Sequence, residues 1–224
     1  MTPTDGQQLT VALSKGRIMK DTLRLLQQAG IPVPEDIEES RKLILESSDR
    51  TVRYILSKPV DVPTYVEYGV ADVGIVGKDV LLEAERDLYE LLDLGIGRCR
   101  MCVCGLPGTK GGMVSRVASK YPRIATNHFR NQGQQVEVIF LNGSVELAPL
   151  IGLADGIVDL VETGRTLAEN GLVIQEEIAQ ITTRVVANRM SFRLKSEQID
   201  NFVTGLRQVT EQKVQAILGR GEQV

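Results

Sequence analysis

Short apolar runs rich in β-branched residues alternate along this chain with stretches whose apolar positions recur at helical spacing. Residues 9–13 (LTVAL) predict a buried strand, ended by Ser14-Lys15-Gly16. From 17 to 29, Ile18, Thr22, Leu25, Leu26 and Ala29 mark one face of a helix; Gly30 stops it and Pro32 prevents its resumption. Residues 43–45 and 52–56 predict a strand pair joined through Ser47-Ser48-Asp49-Arg50. A short helix over 63–70, a strand over 72–76 and a helix opened by Gly77-Lys78-Asp79 follow. Residues 89–96 and 98–106 predict consecutive strands, and the Gly- and Pro-rich 106–112 a loop. Beyond it the pattern predicts a strand over 123–126, a helix from Asn127, a strand over 136–141, a helix over 145–154 and a strand over 157–161. A final helix runs over 196–218.

Such alternation predicts an α/β architecture with largely parallel sheets. At 224 residues, 42% hydrophobic, the chain fits one large domain or two lobes of about 100 residues each. Domain size places one lobe at residues 1–97 plus 181–224 and the other at 98–180. A net charge of -3, no Trp and 4% aromatic residues exclude a basic nucleic-acid footprint or a base-stacking platform. No apolar run approaches the roughly 20 residues of a membrane span, and residues 1–8 do not read as a leader peptide. Three cysteines, Cys99, Cys102 and Cys104, cannot pair fully, so a reducing cytoplasmic setting is expected.

The most informative stretch is GIVDLVETGRTL, residues 156–167. A buried strand delivers Asp159 and Glu162, then Thr163, Gly164, Arg165 and Thr166, into a helix start. Amides at a strand–loop–helix junction lack partners and favour an anion. Gly164 permits a backbone closed to other residues, two threonines add hydroxyl donors and Arg165 adds charge. Carboxylates just upstream suit ribose hydroxyls, so the run reads as a cradle for a ribose 5-phosphate. Locally it is equally compatible with an ordinary capped helix. A buried-strand aspartate favours the first reading, because such residues are paired or functional.

Ser14, Lys15, Gly16 and Arg17 follow the first strand, where α/β sheets bind ligands. Two cations there suit a pyrophosphate, though surface charges flanking a cap look the same. Arg41 is a possible third cation. Asp72 and Gly74, in DVGIVG, allow close approach of a ligand to backbone, or tight packing. Ser144, after Asn142-Gly143, and Glu146 form another capping or anion-binding turn. The lone His128, placed near the expected helix start, reads as a surface or capping group. Cys102 and Cys104 share one strand face with Cys99 on the other, giving core thiols rather than a zinc site. No residue set for a metal is expected.

At these residues the chain resembles the ATP phosphoribosyltransferases: ALSKGR (residues 12–17), ADVGIVGKDVL (71–81), LNGSVELAPLIGLAD (141–155) and DLVETGRTLAENGL (159–172) match that family's pattern in order. The resemblance implies a two-lobed fold like type II periplasmic binding proteins, with the active site in the cleft between lobes. It implies that adenine N1 of ATP displaces pyrophosphate from phosphoribosyl pyrophosphate (PRPP), the entry step of histidine synthesis, with Mg2+ carried mainly by substrate phosphates. Residues 163–166 would hold the 5-phosphate, with Asp159 and Glu162 near the ribose. Lys15 and Arg17 would face pyrophosphate and ATP phosphates, Arg41 the leaving group across a dimer interface, and Ser144 and Glu146 the same cleft. The implied form is the short one: catalytic homodimers within a hetero-octamer containing a regulatory subunit that resembles histidyl-tRNA synthetase. A solute-binding module without chemistry, and a phosphoribosyl transfer to another base, are the rival readings.

Overall fold

Strand β1 (Leu9–Ser14) shows how alternation builds the first of two units. Leu9, Val11 and Leu13 enter one core with Leu25, Leu26, Ile199, Phe202 and Leu206, whereas Ala12 enters another with Val62, Val66 and Val186. Successive side chains leave a strand on opposite faces, so both faces are covered. The computed structural model describes residues 8–108 and 114–221. It divides into Met1–Gly97 with Thr182–Val224, and Arg98–Ile181.

In the first unit, β2 (Ile44–Glu46), β3 (Val52–Ser57), β1, β4 (Val73–Gly77), β11 (Thr183–Ala187) and β5 (Tyr89–Asp93) lie side by side in that order. Helices α1 (Met19–Gln28) and α8 (Ser196–Gly221) pack together: at Gly205 an added Cβ would lie 3.3 Å from the Ala29 carbonyl. On the opposite face lie α2 (Val62–Glu67), entered through a 3-10 turn at Pro59–Asp61, and α3 (Lys78–Ala84). Helix α7 (Arg189–Leu194) starts at Asn188, whose side chain caps it by accepting from Met190 and Ser191 N–H.

In the second unit the order is β10 (Val173–Ile181), β6 (Cys99–Gly105), β9 (Gly156–Val161), β7 (Arg116–Ser119) and β8 (Glu137–Phe140). Helices α4 (Pro122–Asn131), α5 (Leu147–Leu150) and α6 (Arg165–Glu169) complete it.

Several sequence expectations change. The sheets are mixed rather than largely parallel: β1 pairs parallel with β3 and β4, and β7 with β8 and β9, but β2, β5, β6, β10 and β11 all pair antiparallel. Strands β6 and β10 carry the chain into and out of the second unit, and β6 runs antiparallel to both of its neighbours, β10 and β9. Residues 123–126, expected as a strand, lie inside α4; Pro122 sits in its first turn, so the helix starts before Asn127. His128 therefore lies in the last turn, not the first. The helix expected over 145–154 shrinks to four residues, closed by Gly152 at φ +71°. Strands β10 and β11 lie where the hydrophobic pattern predicts none; β10 is an edge strand with irregular pairing, so its alternation is broken. Of the loop expected over 106–112, residues 109–112 lie outside the described residues.

Gly74 faces α2 in mid-strand. A Cβ there would come 2.7 Å from Val66 Cγ2 and 2.9 Å from Val62 Cγ1. Its small size serves helix–sheet packing, the second of the two readings its sequence allows. Gly74→Ala is expected to overpack this interface and cost about 1–3 kcal/mol, read from the shift of the urea midpoint.

Candidate active site

Strand β9 carries GIVDLV and ends where the 162–166 turn begins. Glu146, Asp159, Leu160, Val161, Glu162, Thr163, Gly164, Arg165, Thr166 and Leu167 line a cavity of about 250 Å³, all within the second unit. Val161 and Leu167 are buried in the core beneath it with Cys102, Cys104 and Ile157. These apolar side chains fix the strand and helix from below, and the turn between them is exposed. Gly164 adopts φ +75° and ψ 6°, the left-handed region that glycine enters without penalty. The Arg165 N–H points to Thr163 Oγ1 at 3.4 Å, and Ala168 N–H closes onto the Gly164 carbonyl at 3.0 Å. Amides preceding that closure belong to the first turn, which has no helical acceptors.

Asp159 is half-buried and pairs in register with Cys102 on β6. Its Oδ1 accepts from the Leu160 N–H at 2.8 Å. Burial pushes the Cys104 thiol up to about 12, and Cys102, Asp159 and Glu146 push in the same direction. Burial likewise raises the Cys102 thiol. Burial thus favours the protonated, unreactive form of both thiols. Arg165 is exposed and bonds Glu169 Oε1 at 3.0 Å, one helical turn on. A long guanidinium on a surface pair exchanges partners at little cost.

Ser144 is not among the cavity-lining residues. It sits at φ +49° in an exposed turn, its carbonyl accepting from Leu147 N–H at 3.1 Å. Leu160, Val161 and Leu167, absent from the sequence-level candidates, join the lining through register and core packing.

The first unit holds the second cluster. Lys15, Gly16 and Arg17 form an exposed turn at the carboxyl end of β1, with Gly16 at φ +119°. Ser14 points inward instead: it is 3% exposed and its hydroxyl donates to the Ile75 carbonyl at 3.4 Å. Arg41 is exposed ahead of β2. Leu56 N–H donates to the Leu43 carbonyl, and Ser57 pairs with Ser14. This register sets Arg41 at the same sheet end as Lys15, two strands or about 10 Å away.

Asp72 departs from this group. Because Val11 pairs with Val73, it lies at the amino end of β4, roughly 16 Å along the strand from Lys15. Its carboxylate accepts from Thr10 N–H at 2.8 Å, Ser191 Oγ at 2.7 Å and Lys195 Nζ at 2.7 Å. These bonds make it a buried structural anchor. His128 Nε2 lies 3.3 Å from Glu176 Oε2, consistent with a structural role between α4 and β10.

Comparison with known proteins identifies the family. The family model described as "HisG: ATP phosphoribosyltransferase" matches residues 58–208. An ATP phosphoribosyltransferase from Bacillus velezensis is 56% identical over 207 residues, covering 92% of this chain and 97% of that protein. One from Geobacillus sp. (strain WCH70) is 57% identical over 205 residues, covering 91% and 100%. Among solved structures, a chain of the ATP phosphoribosyl transferase (HisG:HisZ) complex from Thermotoga maritima superposes with a TM-score of 0.80 at 37% identity, covering 92% of this chain and 100% of that one. The BvgS VFT2 domain of Bordetella pertussis shares the fold alone, with a TM-score of 0.59 at 15% identity over 96% of this chain and 94% of that one. The fold is accordingly the α/β fold of type II periplasmic binding proteins.

Proposed function

The chain belongs to the ATP phosphoribosyltransferase family, and from that premise we infer how its residues divide the reaction. Adenine N1 of ATP displaces pyrophosphate from C1 of PRPP, giving N1-(5-phosphoribosyl)-ATP, the first step of histidine biosynthesis. The N1–C1 bond forms as the C1–O bond breaks, and the electron pair leaves with the pyrophosphate oxygen. Adenine N1 is itself the nucleophile, so the protein's task is to align two anionic substrates and stabilise charge on the leaving group.

One observation carries the division of roles: the turn of residues 163–166 and the Asp159 carboxylate line a single cavity. We assign the 5-phosphate of PRPP to Thr163, Gly164, Arg165 and Thr166, and the ribose hydroxyls to Asp159, with Glu162 and Glu146 beside them. Lys15 and Arg17 meet pyrophosphate and the ATP phosphates, and Arg41 the leaving group. Their shared sheet end supports this grouping. Ser14 supports the cation turn from the end of β1, where its hydroxyl donates to the Ile75 carbonyl, and Ser144 belongs to the turn ahead of α5.

Among the described residues no three metal-binding side chains converge. The cavity carboxylates are oxygen donors that fit a hard cation held mostly by substrate. When bound, Mg2+ neutralises charge on the pyrophosphate.

Likeness to the Thermotoga maritima chain supports placing this protein with the short form, working with a separate regulatory subunit in a hetero-octamer built on catalytic dimers. Edge strand β2 supports the dimer: Leu43 and Ile44, next to Arg41, are 62% and 57% exposed. Residence in the cytoplasm is supported by three buried cysteines, none in a disulfide. Among the described residues no helix is long and apolar enough to cross a membrane.

Arg17→Ala is expected to lower turnover at least about tenfold, about 1.4 kcal/mol of barrier. PRPP is expected to slow amide exchange across residues 162–167. Unchanged steady-state kinetics remove Arg17 from the mechanism, and unchanged exchange removes the cradle.

A further inference from the structure

Arg17 has an anchor far away in sequence. Its Nη2 donates to the Gly97 carbonyl at 3.3 Å, across 80 residues. Gly97 is the residue at which the chain leaves the first unit, and its conformation is tightly specified. Its φ is +64°, and an added Cβ would come 2.8 Å from Ile18 Cγ2 and 3.1 Å from Thr183 Oγ1. A side chain there would be strained in its backbone and crowded by Ile18 and Thr183. The preceding Ile96 carbonyl accepts two bonds from one residue: Thr183 N–H at 3.0 Å and Thr183 Oγ1 at 3.2 Å. Thr183 is 1% exposed and sits in register with Gly77 on β4.

We propose that the Gly97 carbonyl, held in place by Thr183, is the positioning group that orients the Arg17 guanidinium for pyrophosphate departure. The proposal rests on the reading of Arg17 given above. The Ile96 carbonyl belongs to the Ile96–Gly97 peptide, so pinning it twice fixes that plane. With the plane fixed and φ set at +64°, the Cα–C bond of Gly97 is placed, and rotation about ψ alone is left to its carbonyl. A guanidinium carries five donors in a rigid fork, so one bond to a fixed carbonyl aims the fork without exhausting it. An unanchored arginine would lose side-chain entropy on meeting the departing charge. An aligned one has lost much of it beforehand, which lowers the barrier rather than tightening ground-state binding.

Thr183→Val removes the hydroxyl bond and keeps the shape. In the assembled enzyme with ATP, PRPP and Mg2+, it is expected to lower kcat roughly three- to tenfold, the scale of one net hydrogen bond. KM for PRPP should move less than about twofold. Thr183→Ser, which keeps the hydroxyl, should restore kcat. In an Arg17→Ala background, Thr183→Val should change kcat by less than about 1.5-fold, because residues acting as one unit are not additive. Thr183→Ala takes the place of Thr183→Val if the valine variant does not fold. An equal effect of the Thr183 change with and without Arg17, or an effect on KM alone, overturns the proposal and leaves Arg17's role standing. Normal turnover in Arg17→Ala overturns both.

Discussion

Replacing Lys195 with methionine is expected to lower the unfolding free energy by about 3 kcal/mol, the lower end of what breaking a buried ion pair costs. Lys195 Nζ lies 2.7 Å from Asp72 Oδ2, with the two side chains 20% and 8% exposed. The same ammonium donates to the Gln8 carbonyl at 2.8 Å. Asp72 would retain two donors, Thr10 N–H and the Ser191 hydroxyl, so the loss is held below the full penalty of an abandoned charge. Lys195 stands between α7 and α8, so its ammonium ties the start of β1 to the helix that covers α1. The check is the urea midpoint at unchanged slope. A second change, Asp72→Asn in the Lys195→Met chain, should recover part of the loss, because the uncompensated charge has gone. A drop below about 1 kcal/mol would mean that water screens the pair as it does on a surface, and the anchor would lose its place in the account.

Asp72 also shows where sequence reading reaches its limit. In the sequence, DVGIVG looks like a ligand loop, because a buried aspartate beside glycines has the same composition whether it serves a substrate or a helix. Pairing register decides between them: Val73 opposite Val11 sends Asp72 to the far end of the sheet from Lys15. Its partners, Ser191 and Lys195, are 119 and 123 residues away, beyond any local pattern. Thr163, Gly164, Arg165, Thr166 and Asp159 were legible for the opposite reason. Strand, left-handed glycine and helix start are contiguous, and their chemistry is set within a dozen residues. Glu146 entered the cavity by tertiary packing but had been flagged by its own turn. Gly97 and Thr183 carried no local signal, since Gly97 meets Arg17 across 80 residues and Thr183 meets Ile96 across 87. The short apolar strands were read correctly in most of the chain, as with β1 and β9. Residues 123–126 failed because Ile-Ala-Thr after a proline suits a strand and a first helical turn equally, and burial of Ile124, Ala125 and Phe129 decided for the helix.

Gly164→Val should reduce kcat/KM for PRPP by about a hundredfold or more, while Gly164→Asn should cost no more than about tenfold. The contrast separates backbone from space. A Cβ at Gly164 would meet only Val161 Cγ1, at 3.7 Å, an ordinary contact that either side chain tolerates. The backbone is another matter: at φ +75° a β-branched residue is a steric outlier, whereas asparagine enters the left-handed region with modest strain. Valine therefore pulls the 163–166 turn toward a different φ, displacing the amides of Arg165 and Thr166 and the Thr163 hydroxyl together. A displacement near 1 Å in a positioning group is enough for a hundredfold loss. Measured PRPP kinetics for both variants, with melting curves to show that each remains folded, test the turn as a phosphate cradle. If valine and asparagine fall equally, the space over Gly164 matters more than its conformation, and a substrate group must lie directly on its Cα. If neither falls, the turn is a helix cap with no hold on the phosphate, and the assignment of the 5-phosphate to residues 163–166 fails.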